Sequence, residues 1–238
     1  SGCSTFFVAY LEEALAVRKA LGLGPRIFVL NGPTRKEMSA YIAAGITAVL
    51  SSPDHLKAWA NAPKGTSALH FDTGMNRLGL KAAALATTLT DLQRLQPVLV
   101  MSHLACADET GNAMNTAQLK AFDDIASAFP DTPASLANSA GCYLGKGFGY
   151  DLIRPGIGLY GGSLPPKGLR IKQALTLDAA ILSVFEGKAG ETVGYGATQT
   201  LQQDTQLATV GIGYADGLPR TGGNNLVAYL DDVPFRWT

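Results

Sequence analysis

From Ser1 to about Gly162, short apolar runs alternate with amphipathic stretches, and that alternation restricts the chain to a βα architecture. Phe6–Tyr10, Arg26–Leu30, Ile46–Ser51, Ala68–Asp72, Pro97–His103, Ala134–Asn138 and Asp151–Tyr160 read as strands. Between most of them lie helical patterns. Leu11, Ala14, Leu15 and Leu21 fall near one face, Thr34 and Glu37 form a capping box, and Pro53 opens a helix holding Leu56 and Trp59. Asn115 is expected to cap a helix carrying Leu119, Phe122, Ile125 and Phe129. Strands this short and apolar suit a parallel sheet buried on both faces. A doubly wound open sheet and a (β/α)8 TIM-type barrel are the two candidates. The glycines at 145, 147 and 149 lack the strand–GxGxxG–helix context of a dinucleotide site and read as a loop. The barrel is favoured, with its first strand missing.

After about Lys167 the helical period fades. Leu175–Phe185, Gln206–Ile212 and Leu226–Leu230 read as strands between Gly- and Asp-rich breaks. The expected domains are an incomplete barrel over 1–167 and a truncated all-β domain over 168–238. The chain has no initiator Met and stops within β-like sequence at Val233–Thr238, so it reads as a piece of a longer polypeptide.

Composition narrows the function. Residues of the two charges number 19 each with no basic run, which argues against nucleic acid or an anionic membrane as partner. Apolar runs fall well short of the ~20 residues of a membrane helix. No signal peptide follows Ser1, and Cys3, Cys106 and Cys142 have neither disulfide-framework nor zinc spacing. A reducing, cytoplasmic compartment is expected, with no metal.

Polar residues gather where a barrel would use them. Asp72–Thr73–Gly74, Ser102–His103, Asn138–Ser139 and Arg154 stand at or just after the carboxyl ends of strands, which in a barrel converge on one mouth. The stretch Asp151–Gly162, DLIRPGIGLYGG, adds glycines that leave main-chain N–H groups open to an anion beside the planar donor fork of Arg154. By itself, that stretch fits a cofactor-phosphate seat and a tight structural turn equally well.

Six motifs then carry a resemblance: HFDTGMNRLG (His70–Gly79), SHLACADE (Ser102–Glu109), LANSAG (Leu136–Gly141), RPGIGLYG (Arg154–Gly161), VGYGAT (Val193–Thr198) and VGIGYADGLPR (Val210–Arg220). In this order they resemble alanine racemase. The resemblance implies a pyridoxal 5'-phosphate (PLP) enzyme with a (β/α)8 barrel, a C-terminal β domain and a head-to-tail homodimer whose sites draw on both subunits. It implies interconversion of L- and D-alanine by two bases, supplying D-alanine for peptidoglycan. The family's Schiff-base lysine lies in a KANAYGHG-like segment with no counterpart here, so the chain alone is expected to be inactive.

Residue roles follow from the resemblance. Tyr195 matches the catalytic tyrosine given to the partner's site, supported through His103 to Arg154. Arg154 would face the pyridine nitrogen, where a fixed positive donor keeps that nitrogen unprotonated. Ser139 with the N–H groups of Gly156 and Ile157 would hold the phosphate. Arg77 would bind the substrate carboxylate, and Tyr214, with Asp216 and more weakly Asp108 and Arg220, would line the entry. Many relatives brace that arginine with a carbamylated lysine. His70 stands there in this chain, so a bound anion such as chloride, or another carboxylate, is expected instead. Asn138 reads as turn support and His55 as a surface residue. The rival readings are a related PLP enzyme (a broad-specificity racemase or a decarboxylase) and a non-catalytic ligand-binding fragment. For Arg154 the structural alternative is an ion pair with Asp151 or Asp72.

Overall fold

The computed structural model describes all residues except 1, 61–64, 163–164, 167, 173, 224–225 and 238, and the side chains of 84, 86 and 87. It divides into two units, Ser1–Leu175 and Thr176–Thr238. The boundary expected at Lys167 lies outside the described residues.

In the first unit, strands β1 (Thr5–Val8), β2 (Arg26–Val29), β3 (Thr47–Leu50), β4 (Ser67–Asp72), β5 (Leu80–Lys81), β6 (Val100–Met101) and β7 (Ala134–Ser135) form one parallel sheet. Its order is β1-β2-β3-β4-β6-β7, with β5 set beside the end of β4. A doubly wound sheet starts near its middle and reverses direction at a switch point. Here the strands add in chain order, with only β5 set aside, and no reversal occurs, which is the winding of a barrel. Helices α1 (Leu11–Leu21), α2 (Met38–Ala43), α3 (Pro53–Trp59), α4 (Ala83–Arg94) and α5 (Ala113–Ser127) make the crossovers, and a single turn, α6 (Lys146–Gly149), follows β7.

The period of two along each strand builds two separate cores. Ile27, Val29, Ala48, Leu50, Leu69, Phe71 and Val100 face the helices and pack with Leu11, Tyr41, Trp59, Phe122 and Ile125. The alternate residues Phe28, Val49, Ala68, Leu99 and Met101 form the second cluster, where Phe7 stacks on Phe28 at 4.6 Å. His70, between Leu69 and Phe71, and Ser135, between Ala134 and Leu136, share this second face by the same alternation. Burying one of the larger apolar side chains contributes about 1.5–3 kcal/mol, so both faces hold the strands in register.

Several local expectations change. Asp151–Tyr160 is not a strand. Residues 151–156 run beside β7, with the Asp151 N–H donating to the Ala134 carbonyl (3.1 Å) and the Arg154 N–H to Ala137 (2.9 Å). Pro155 then removes a ladder donor, and Ile157–Tyr160 coils into a 3-10 turn. The cap of α5 is Asn112, whose side-chain oxygen accepts the Met114 N–H at 2.9 Å. Asn115 instead is buried inside the helix and donates to the Cys106 and Glu109 carbonyls. Glu37 accepts from the Thr34 N–H and hydroxyl, closing the turn ahead of α2 rather than its first turn. His55 is half-buried, and its Nδ1 accepts the Ser51 N–H at 3.3 Å.

The second unit is antiparallel throughout. Strand β8 (Ile181–Gly187) pairs with β11 (Thr205–Val210), β9 (Thr192–Val193) with β10 (Gln199–Thr200), and β12 (Val227–Leu230) with β13 (Val233–Arg236). Asp231 and Asp232, both at positive φ, make the two-residue turn whose twist suits the last hairpin. The strand expected from Leu175 begins only at Ile181.

Candidate functional site

Arg154 leaves the segment beside β7 and turns its guanidinium under the carboxyl ends of two strands. Nη1 donates to Ser135 Oγ and Nη2 to the Ser102 carbonyl, with a longer bond of 3.4 Å to the Leu136 carbonyl. The guanidinium carbon lies 5.9 Å from the centroid of the Phe7 ring, within cation–π range. Burial lowers its pKa to about 10, so it remains charged at neutral pH. Neither carboxylate considered as a structural partner reaches it. Asp151 accepts the Ala134 N–H at 2.8 Å, and Asp72 is engaged by Lys81 at 2.5 Å. Arg154 therefore stands as a cation with no carboxylate partner among the described residues.

Beside it, the turn after Pro155 wraps a hydroxyl. The Gly156 and Gly158 N–H groups donate to Ser139 Oγ at 2.8 and 3.0 Å, while the Ile157 N–H between them makes no bond to that oxygen. A Cβ built on Gly156 would meet nothing within 4 Å. Convergent main-chain donors, an oxygen acceptor at their focus and open space above describe an anion seat. This arrangement fits a phosphate-bearing cofactor.

The DTG segment forms a third side. Asp72 Oδ1 accepts the N–H groups of Gly74 and Asn76, each at 3.0 Å, and Lys81 Nζ bridges Asp72 Oδ2 and Asn76 Oδ1. Burial alone would raise the Asp72 pKa, but Lys81 and the two N–H donors bring it below the usual value. Asn76 takes a left-handed conformation at φ 54°, which the short loop to Gly79 requires. Gly79 is obligatory at the return: its φ is 131°, and a Cβ there would lie 2.4 Å from the Asp72 nitrogen. The loop exposes Arg77, whose guanidinium makes no hydrogen bond among the described residues.

Two histidines complete the cluster. His70 is only 6% exposed, and its Nδ1 has no hydrogen-bond partner among the described residues. Burial, then Arg154, His103 and Arg77, push its pKa down to about 3. Burial, then Arg154 and Arg77, push His103 to about 4. Both rings are uncharged at neutral pH. Asn138 Nδ2 lies 3.5 Å from His103 Nε2 and donates to the Leu104 carbonyl at 3.2 Å, while Asn138 Oδ1 accepts the Gly141 N–H. His103 touches Arg154 through its field alone.

One buried residue of this neighbourhood escapes a reading of strand ends. Gln118 on α5 donates from Nε2 to Thr73 Oγ1 (3.1 Å) and the His103 carbonyl (2.9 Å), and Oε1 accepts the Ala105 N–H (2.8 Å). A signal existed in the sequence, since a glutamine one helical turn before Phe122 falls on the apolar face.

The remaining candidates belong to the second unit. Tyr195 opens a 3-10 turn between β9 and β10, flanked by Gly194 and Gly196 at φ near 75°, and is 89% exposed. Tyr214, 67% exposed, begins another such turn, which Asp216 closes by accepting the Gly213 N–H. Within that unit, neither ring is buried.

A parallel barrel that sets a cation and a main-chain anion seat at the carboxyl ends of its strands belongs with the phosphate-binding barrel proteins. The comparisons carry this further. The family model "Alanine racemase, N-terminal domain" matches residues 1–164, and "Alanine racemase, C-terminal domain" matches residues 174–235. The chain belongs to the alanine racemase family. It is 43% identical to the alanine racemase of Rhodospirillum rubrum, covering 97% of this chain and 64% of that protein. It is 41% identical to "Alanine racemase, catabolic" of Agrobacterium fabrum, covering 98% and 62%. Among solved structures, alanine racemase from Bartonella henselae with covalently bound pyridoxal phosphate superposes with a TM-score of 0.84 at 33% identity, covering 98% of this chain and 67% of that one. The chain thus spans somewhat less than two thirds of these two curated relatives. Among the described residues, no helix is long and apolar enough to cross a membrane.

Proposed function

We propose that the complete polypeptide containing this chain is a PLP-dependent alanine racemase acting in the cytoplasm as a head-to-tail homodimer. The observation that carries the reading is the pairing of Arg154, a cation without a carboxylate, with the donor turn around Ser139. Ser139, Gly156 and Ile157 would hold the cofactor phosphate, and Arg154 would donate to the ring nitrogen. When bound, pyridoxal phosphate supplies an electron sink that makes the substrate's Cα–H acidic.

The chain's own residues then divide the work. Arg77 binds the substrate carboxylate through its free planar fork. Tyr195 of the partner subunit moves a proton at one face of Cα, and the lysine of the family's first-strand segment serves the other. A phenol with a pKa of about 10 is a weak base at neutral pH, so it needs a positive field. Arg154 and Arg77 supply that field while His103 and His70 remain neutral. Tyr214 lines the approach.

The deciding experiment measures exchange of the α-proton of L- and D-alanine in deuterated water by the complete polypeptide. Racemisation with exchange and no release of carbon dioxide is expected, and Tyr195→Phe is expected to lower kcat by roughly 10²–10⁴. Decarboxylation, or equal turnover of a broad amino-acid panel, would favour the related-enzyme reading. The 238 residues alone contain no counterpart of the lysine segment and are expected to leave alanine unchanged. Racemisation by them would overturn the assignment of the second base.

A further inference from the structure

We infer that Gln118 is a positioning residue that fixes the spacing between the substrate-binding loop and the histidine loop of the site. The inference rests on the racemase reading for what those loops do, and on geometry for how Gln118 joins them. Gln118 is fully buried, yet it comes from helix α5, outside the strand ends that carry the other site residues. Its amide is spent on two loops at once. Nε2 donates to Thr73 Oγ1 in the segment leading to Arg77 and to the main-chain carbonyl of His103, while Oε1 accepts the N–H of Ala105.

Thr73 continues the chain. Its Oγ1 lies 2.7 Å from Oγ of the fully buried Ser102, and the Ser102 carbonyl in turn accepts from Arg154 Nη2. A continuous run of bonds therefore joins the Arg77 loop, Gln118, His103 and Arg154. Gln118 satisfies groups on both loops through one planar carboxamide that donates twice and accepts once. Misplacing either loop by an ångström would separate the carboxylate-binding and ring-facing groups, an error that can cost up to ~10²-fold in rate.

The test uses the complete polypeptide with Thr73→Val, Thr73→Ser and Gln118→Met. Thr73→Val removes one link and is expected to raise KM for alanine roughly ten-fold with kcat little changed. Thr73→Ser keeps the hydroxyl and is expected to restore KM. Gln118→Met is expected to raise KM as well, and to move the His103 ring resonances and their titration in nitrogen-15 NMR. If Gln118→Met does not fold, the Thr73 pair decides alone. Wild-type KM in Thr73→Val, or unmoved His103 resonances in a folded Gln118→Met, would overturn the inference, whatever the change in melting temperature. If the wild-type polypeptide turns over no alanine, the functional reading fails. The His103 resonances and a pyridoxal phosphate titration of the same variants still decide whether Gln118 positions the site.

Discussion

Arg154 and the two histidines are governed by one balance. Each is a base kept from water beside other bases, and none has a carboxylate close by that is not already engaged. For His70 and His103 the folded-state pKa lies near 3 and 4, below the ordinary 6.5. The stabilisation from keeping them neutral is complete above pH 6.5 and is lost as the pH falls toward those folded values. Each such group tilts stability by about 1.4 kcal/mol per pH unit across its window. The urea midpoint should therefore fall between pH 6.5 and 4.5, and His70→Gln should make that fall shallower. An unchanged slope in the variant would mean that His70 ionises without cost. At this scale the sequence was informative where polar residues follow a strand, as with Ser102 and His103 after β6, whereas Arg154 comes from a segment that is not a strand. Gln118 gave a weaker signal, a polar residue on the apolar face of its helix, which strand ends do not point to. The sequence also could not show that Asp72 is claimed by Lys81, a pairing set by the backbone of the loop between them.

At the scale of elements, periodicity located the strands and helices but not their ends. Asn112 and Asn115 are both plausible caps, and which one caps depends on where the loop after His103 sends the chain. Asn115 lies within reach of the Cys106 and Glu109 carbonyls, so it is consumed as a loop staple. Asn112→Ala should accordingly cost about 1 kcal/mol by removing the α5 cap, read as a shift in denaturant midpoint. Gly79→Ala should cost more, because strain at positive φ adds to the clash with the Asp72 backbone. If the Arg77 loop is built as described, Gly79→Ala should also weaken alanine binding, whereas Asn112→Ala should not. The segment Asp151–Tyr160 shows the opposite limit. Its apolar alternation suggested a strand, and a proline with surrounding glycines broke the ladder and turned the chain into the donor turn instead.

For the whole molecule, the change from alternating βα sequence to β-only sequence was legible because the two textures have different periods. The barrel was favoured over an open sheet because the glycines lack a strand–GxGxxG–helix context and the polar residues gather at strand ends, and the strand order bears that out. Under the proposed head-to-tail dimer, each site would draw on residues of both subunits. In a head-to-tail dimer, Arg77→Ala and Tyr195→Phe would damage different contributions to each site. Co-expressing the two inactive variants should restore about a quarter of wild-type activity, since mixed dimers keep one intact site of two. Restoration absent from mixed dimers of proven composition would place Tyr195 in its own subunit's site.

Ser139 Oγ accepts from Gly156, one of the donors assigned to an incoming phosphate, and from Gly158. Phosphate binding there would be an exchange of acceptors, in which Gly156 trades the Ser139 hydroxyl for an anion, the Ile157 N–H gains a partner and the hydroxyl turns from acceptor to donor. The Ser139 hydroxyl thus satisfies the Gly156 and Gly158 donors within the fold itself. The turn keeps its shape while it waits, and the net gain on occupation is smaller than three new hydrogen bonds would suggest. If a phosphate seats there as proposed, this end would hold it by a readily reversed exchange of hydrogen bonds.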